Sequence, residues 1–498
     1  MITFHSTRST TDSLTSKQAI RKGIADDGGL FVTDALGDTQ IDVASLAGKS
    51  YQQIAQEVLG ALLPDFTDDE LAQCVRDAYG EQWSDPAITP LKPLGDDYIL
   101  ELFNGPTSAF KDVALQILPR FMAHTAPTGD PNEKIMILTA TSGDTGKAAL
   151  AGFADVPGTG ITVFYPEGKV SQVQQLQMTT QAGSNVNVCA VRGNFDDAQS
   201  AVKRIFGDHE LAKRIDDQAN VALSSANSIN VGRLVPQVVY YFSAYAQLLE
   251  RQVINAGDEV EFCVPTGNFG DILAGYFARE LGLPVGTLVC ASNANNVLTD
   301  FIRTGRYDKK RPFYLTSSPS MDILVSSNLE RLLFLLSGDE QLVAKLMRQL
   351  TEDGAYEVPE ELKEKIQSLF WAGCCGDDET KRTIGRVWQE HHYLCDTHTA
   401  VAWNVAQQYK AANPGHAPVV VLSTASPYKV PAAVLEGLGE KAEGDEFAVM
   451  EQLERLTGVP APKNLRGLRE RPVRHTTVLD REEMLPFVLE KAQEKKWF

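Results

Sequence analysis

From about residue 96 the chain repeats one local grammar: a short apolar run, a small-residue turn, then a segment with helical spacing. "YILELF" precedes a helix opening near Phe110, "KIMILTA" a helix from Thr145, "GITVFY" a helix from Val170 and "NVNVCAV" a helix from Asp196. Short β-branched runs bounded by turns read as strands, and apolar residues three and four apart read as helix. Parallel neighbours need a crossover of a dozen or more residues, so this alternation predicts βαβ units and a mostly parallel α/β sheet. Ligands of such sheets bind beyond the carboxyl ends of the strands. After a long helix at about 229–250 the grammar resumes in "EVEFCVPTGNFGDILAGYFARELGLP" and again in "APVVVLSTASPYKVPAAVLEGLG". Three strand-to-helix turns therefore offer small residues and free N–H groups.

The first 95 residues read differently. "YQQIAQEVLGALL" and "DDELAQCVRDAYG" have helical spacing and follow a turn-rich opening, and "DPAITPLKPLGDDY" interrupts regular structure as a domain boundary would. At 498 residues the chain is too long for one compact core. A net charge of −19 repels phosphate backbones and anionic membranes, which argues against nucleic acid and membrane partners. The opening "MITFHSTRST" lacks the pattern of a secretory signal, and no apolar run is long enough to span a bilayer, so a cytoplasmic protein is expected. Its seven cysteines are odd in number and scattered, which fits buried thiols in a reducing compartment.

The turn in "TATSGDTGKAA" has the character of an anion site, because a helix amino terminus presents unpaired N–H groups. A nucleotide phosphate loop needs a glycine where Thr141 stands and a hydroxyl where Ala148 stands, so the anion is a different one. In "NGPTSAFKDVALQILPRF", Phe110, Val113, Ala114, Ile117, Leu118 and Phe121 recur at helical spacing and place Lys111 in a first turn. The helix dipole and burial both disfavour an ammonium there, which makes a neutral, Schiff-base-forming amine accessible. The alternative is a solvated lysine after a turn.

These segments, with "SSANSINVGRLVPQVVYY", "PTGNFGDILAGY", "SPSMDILVSSNLERLLF", "DTHTAVAW" and "STASPYKVP", lie in one order across most of the chain and resemble the longer threonine synthases of bacteria and fungi. The resemblance implies the tryptophan-synthase β type of fold: two αβα modules with pyridoxal 5'-phosphate between them, plus an amino-terminal α-rich domain. The implied divisions are 1–95, 96–235 and 236–498, the last with a carboxy-terminal extension. It makes Lys111 the catalytic lysine that carries the cofactor. It makes Gly267, Asn268, Phe269 and Gly270 the cradle of the cofactor phosphate, and Thr424 the hydroxyl facing the pyridine nitrogen. The turn Thr141, Ser142, Gly143, Asp144, Thr145 would bind the substrate carboxylate, with Asp144 either capping the helix or serving a catalytic or conformational role.

The implied reaction converts O-phospho-L-homoserine and water to L-threonine and phosphate, in a monomer or homodimer. A serine or threonine dehydratase of the same fold is the alternative enzyme, and a binding protein on this fold would lack a competent lysine. For the substrate phosphate the matching stretches offer Arg233, Lys147, Ser225, Asn227 and Asn230; Arg233 could instead form a structural ion pair, and Lys147 could lie on the surface. His391, His392, Cys395, Asp396 and His398 cluster without metal-finger spacing, so no metal is expected and a structural or substrate-lining role is favoured.

Overall fold

The computed structural model describes residues 2–127, 129–141 and 143–494. Strands β1 (Phe4–Ser6), β2 (Ser9–Leu14) and β3 (Phe31–Val32) form an antiparallel sheet in the order β2-β1-β3. The helices Tyr51–Leu62 and Asp68–Ala78 follow, each started by a reciprocal box, Ser50 with Gln53 and Thr67 with Glu70. In the first of them Ile54, Ala55, Val58, Leu59 and Leu62 form the buried face. The amino-terminal region is thus helical, as the spacing predicts, with a small sheet added.

Two larger sheets make up the rest. Strands β4 (Leu91–Leu94) and β5 (Asp97–Glu101) open the first of them, and β6 (Lys134–Ala140), β7 (Thr159–Pro166), β8 (Val186–Val191) and β9 (Val221–Ser224) belong to the second. Strands β10 (Val260–Pro265) and β11 (Val285–Ser292) follow, then a two-stranded ribbon of β12 (Arg306–Asp308) and β13 (Ala355–Glu357). Last come β14 (Phe370–Cys374), β15 (Val419–Ser423) and β16 (Thr477–Leu479). The six-stranded sheet has the order β14-β11-β10-β15-β5-β4, and every pair in it is parallel except β4 with β5. The five-stranded sheet, β16-β8-β7-β6-β9, is wholly parallel. Helices cover both, and strands such as β7 and β10 are buried along their whole length, as parallel strands sandwiched by helices are.

Sheet membership does not follow the chain divisions expected at 95 and 235. β4 and β5 join the later sheet, and β16 returns from the carboxy-terminal end to the edge of the earlier one. Parallel pairing separates sequence neighbours, so the domain a strand enters is set by which edge its apolar faces complete rather than by its place in the chain.

One long helix ties the parts of the chain together. Val231–Glu250 is capped by Asn230 and almost entirely buried, with Pro236 inside it. It packs against both the amino-terminal helix Tyr51–Leu62 and the helix Gly270–Glu280. The helix expected from Phe110 is two short ones, Lys111–Leu115 and Leu118–Ala123, because Pro119 lacks an N–H and favours the first turn of a new helix. The fully buried Arg331 joins three parts of the chain: it donates to the Phe31 carbonyl at 2.8 Å, to Asn328 Oδ1 at 2.5 Å and to the Ile229 carbonyl at 2.6 Å.

Candidate active site

A cavity of about 510 Å³ opens where the carboxyl ends of the two large sheets meet. Lys111, Thr141, Thr145, Arg233, Gly267, Asn268, Gly270 and Thr424 all line it. A larger cavity of about 750 Å³ lies behind the 103–108 loop but contains none of the expected site residues.

Lys111 is the first residue of its short helix, and Phe110 before it provides no side-chain cap. Burial pushes the Lys111 ammonium below the ordinary lysine value; Asp144 opposes the shift, and Arg233 and Lys429 add to it. The loop that carries the lysine is fastened from several sides. Phe110 donates its N–H to the Thr424 carbonyl at 2.8 Å, and Ser426 donates to the Ser108 carbonyl at 3.1 Å. Asp112 is fully buried and accepts from the Thr107 amide at 2.7 Å and its hydroxyl at 2.5 Å. Burial holds the Asp112 carboxyl up at about 6 despite those bonds.

The turn from β10 into helix Gly270–Glu280 is the most constrained part of the site. Phe269 adopts φ +68°, the left-handed region, and turns its ring into the core against Phe370 at 5.6 Å. Its side chain is therefore turned away from the cavity that Gly267, Asn268 and Gly270 line. Asn268 accepts from the Asn328 amide at 2.9 Å and Gly267 from Ser326 Oγ at 2.7 Å, which turns both carbonyls outward and leaves N–H groups for the cavity. A Cβ on Gly267 would come within 2.7 Å of the Ser320 carbonyl, so only glycine fits. Asp271 also lines the cavity, and burial lifts its carboxyl to about 7 against the opposing bond from the Ile272 amide.

The turn from β6 into helix Asp144–Phe153 is built around Thr141. Its hydroxyl accepts from the Gly143 and Gly146 amides, both at 3.0 Å, so its side chain shapes the turn and is consumed by it. Gly143, at φ +151°, is the N-cap and offers no side chain, which leaves the amides of Asp144 and Thr145 without a partner among the described residues. Ser142 lies outside the described residues. Asp144 does not cap its helix: its carboxylate pairs with Lys429 at 2.7 Å and, although burial pushes its pKa up, Lys429, Lys111 and Lys147 together hold it well below the usual carboxylate range.

Arg233 is buried without an acidic partner. Its Nη1 donates to the Ala226 carbonyl at 2.8 Å while its Nε has none, and burial alone lowers it to about 10. A structural ion pair is thereby excluded among the described residues. Asn227 lines the cavity, whereas Asn230 is spent capping Val231–Glu250 and Ser225 does not reach the cavity. Lys147 is buried rather than on the surface and donates to the Thr107 carbonyl at 2.6 Å.

His398 lines the cavity as well. Its Nδ1 faces Asp396 at 2.6 Å and its Nε2 accepts from the Ser320 amide at 3.1 Å, an arrangement that fixes the ring. Asp396 caps the helix Thr397–Ala412, and no group of three ligating side chains that could hold a metal occurs among the described residues. Sequence reasoning missed Lys429, Asp271 and Gln237. Lys429 stands inside "STASPYKVP", and its only signal is a lysine following a strand-end turn that already carries Thr424.

Three family profiles match in chain order: "Threonine synthase N terminus" over residues 3–79, "Pyridoxal-phosphate dependent enzyme" over 90–366 and "Threonine synthase, C-terminal" over 399–486. Threonine synthase-like 1 of Macaca fascicularis is 41% identical over 437 residues; the match takes in 84% of this chain but spans 58% of that protein's length. Threonine synthase of Pseudomonas aeruginosa is 39% identical across 87% of this chain and 90% of its own. Among solved structures, PLP-bound threonine synthase from Brucella melitensis superposes with a TM-score of 0.87 at 38% identity, covering 99% of both chains. The yeast enzyme superposes with a TM-score of 0.85 at 32% identity, covering 99% of this chain and 98% of that one. The chain belongs to the threonine synthase family.

Proposed function

We propose that the chain binds pyridoxal 5'-phosphate and converts O-phospho-L-homoserine and water to L-threonine and phosphate. The observation that carries this reading is Arg233, a buried guanidinium in the same cavity as Lys111 and without a counter-ion among the described residues. A substrate with its own phosphate gives that cation a partner; a dehydratase acting on serine or threonine has no use for it.

The donor set fits the cofactor. Among the described residues Lys111 Nζ has no hydrogen bond or ion pair, so a covalent link there breaks nothing. The amides of the Gly267–Gly270 turn suit a phosphate dianion at a helix amino terminus, and Thr424 offers a neutral hydroxyl. When bound, the cofactor supplies an electron sink that makes protons on the substrate's α- and β-carbons removable. Lys111, whose burial favours the free amine, takes and returns those protons. The first amides of helix Asp144–Phe153 receive the substrate carboxylate, and Arg233 binds the phosphate before and after it leaves. The chain acts as a monomer or as a homodimer. The unpaired cysteines support a reducing compartment, the cytoplasm. No described helix is long and apolar enough to cross a membrane.

The test is product analysis of the purified chain with pyridoxal phosphate and O-phospho-L-homoserine, together with mass spectrometry after borohydride reduction. Threonine and phosphate in equal amounts, with the pyridoxyl label on the Lys111 peptide, are expected. Ammonia and a keto acid from threonine, or a label on another peptide, would replace this reading.

A further inference from the structure

Behind the carboxylate-binding turn lies a buried set of charges that the reaction just described does not use. Asp144 and Lys147 stand on helix Asp144–Phe153 of the five-stranded module, while Asp112 and Lys429 follow β5 and β15 of the six-stranded one. Lys429 Nζ meets Asp144 Oδ1 at 2.7 Å, with their side chains only 4% and 17% exposed. Lys147 crosses in the other direction to the Thr107 carbonyl at 2.6 Å, beside Asp112, which Thr107 also holds. Lys429 and Lys147 also lie against each other, and burial together with Lys429 pushes the Lys147 ammonium well down, while Asp144 and Asp112 hold Lys429 charged.

We propose that Lys429 is a positioning residue for the Lys111 chemistry: it takes Asp144 as its own counter-ion and so leaves the Lys111 amine without one. The proposal rests on the assignment of Lys111 above. The charged groups that bear on Lys111 are Asp144 from helix Asp144–Phe153, Arg233 from helix Val231–Glu250 and Lys429 from the loop after β15. Those that bear on Asp144 are Lys429, Lys111 and Lys147. Asp271 and His398 share the cavity, and Lys203 lines its rim. With Lys429 removed, the buried carboxylate of Asp144 has Lys111 and Lys147 as its remaining cations; Lys147 stays tied to the Thr107 carbonyl at 2.6 Å, and an uncompensated buried charge takes the cation left free. Lys111 then stays protonated to higher pH, and an unneutralised acid stands beside the place where the substrate carboxylate binds. Lys429 is suited to this work because its Nζ also donates to Gln177 Oε1 at 3.4 Å and the short turn Pro427–Lys429 holds its backbone.

The test follows kcat and KM from pH 6 to 9.5 in the holoenzyme for wild type, Lys429→Met, Lys429→Arg and the double variant Asp144→Asn/Lys429→Met. A second readout is the pH midpoint of Lys111 acylation in the cofactor-stripped full chain, followed by peptide mass spectrometry. Lys429→Met is expected to move the acid limb of kcat/KM and the acylation midpoint upward by roughly 1–3 pH units, and to raise KM. Lys429→Arg keeps both near wild type, and the double variant brings the midpoint back, because the acid has gone with its partner. Should Lys429→Met not fold, Lys429→Gln, which retains a donor for Asp144, takes its place. A midpoint unmoved by loss of the charge, or one that the double variant fails to restore, overturns the proposal. If wild type does not turn over O-phospho-L-homoserine while the acylation midpoints shift as described, the functional reading falls and the role of Lys429 stands.

Discussion

Replacing Arg233 with Met separates what the fold needs from what the substrate needs. Burial lowers the guanidinium from its ordinary value to about 10, and at 1.36 kcal/mol per unit the folded chain carries a penalty of about 3 kcal/mol for keeping it charged. Met has a similar length and no charge, so it removes that penalty. It also removes the one hydrogen bond to the Ala226 carbonyl, which costs about 1–2 kcal/mol. The net expectation is a gain of about 1–2 kcal/mol, which for a chain of this size is a rise in Tm of about 1–2 °C. Turnover moves the opposite way: losing a buried cation opposite a phosphate costs at least about 3 kcal/mol, a fall of roughly 100-fold or more in kcat/KM. The assays are scanning calorimetry and steady-state kinetics with O-phospho-L-homoserine, with inorganic phosphate as a control ligand that raises Tm in wild type and not in the variant. A variant that loses stability together with activity, or keeps turnover within a few-fold of wild type, refutes the reasoning.

The other expectations follow from single contacts. Gly143→Ala puts a methyl into the Gln174 side-chain amide at φ +151°; a loss of about 2–3 kcal/mol in stability and a raised substrate KM are expected, read by chemical denaturation and kinetics. Arg331→Met leaves the carbonyls of Phe31 and Ile229 and the Asn328 amide oxygen without their donor, at about 1–3 kcal/mol each, and relieves the burial that lowers the guanidinium to about 9, worth about 5 kcal/mol; the two nearly cancel, and calorimetry should find a Tm within a few degrees of wild type. Asp271 is protonated in the folded chain up to about pH 7 but ionises near its ordinary 3.8 when unfolded. The folded state therefore binds the extra proton, and stability falls as pH rises from about 4 to 7, by roughly 4 kcal/mol at most. Asp271→Asn should flatten that slope in denaturation curves of the cofactor-free chain taken at pH 4.5 and 7.5.

Much of the site was legible because its chemistry sits at strand-to-helix turns, where small residues and a change of period are visible in the letters themselves. Lys111, the Gly267–Gly270 turn, Thr424 and Arg233 fall at such turns or in segments matching the family, and the fold brings them to one cavity, except for Phe269, whose ring lies in the core. What stayed hidden depends on contacts between distant segments. Asp144 looked able to cap its helix, yet its partner is Lys429, nearly 300 residues later, and no local pattern encodes that meeting. Lys147 reads as an ordinary exposed lysine until the Thr107 carbonyl is seen to be its acceptor. The same limit governs the sheets, since β5 and β16 pair with strands far from them in the chain.

The return of β16 has a consequence for how the molecule is made. β8 leaves the ribosome long before the segment that covers its outer edge, which emerges about 290 residues later, or roughly 15–60 s at ordinary elongation rates. Through that interval the five-stranded sheet offers bare main-chain donors and acceptors to any passing strand. Completion of translation, rather than local collapse, closes that edge, so premature termination upstream of Thr477 should yield polypeptides prone to association and dependent on chaperones.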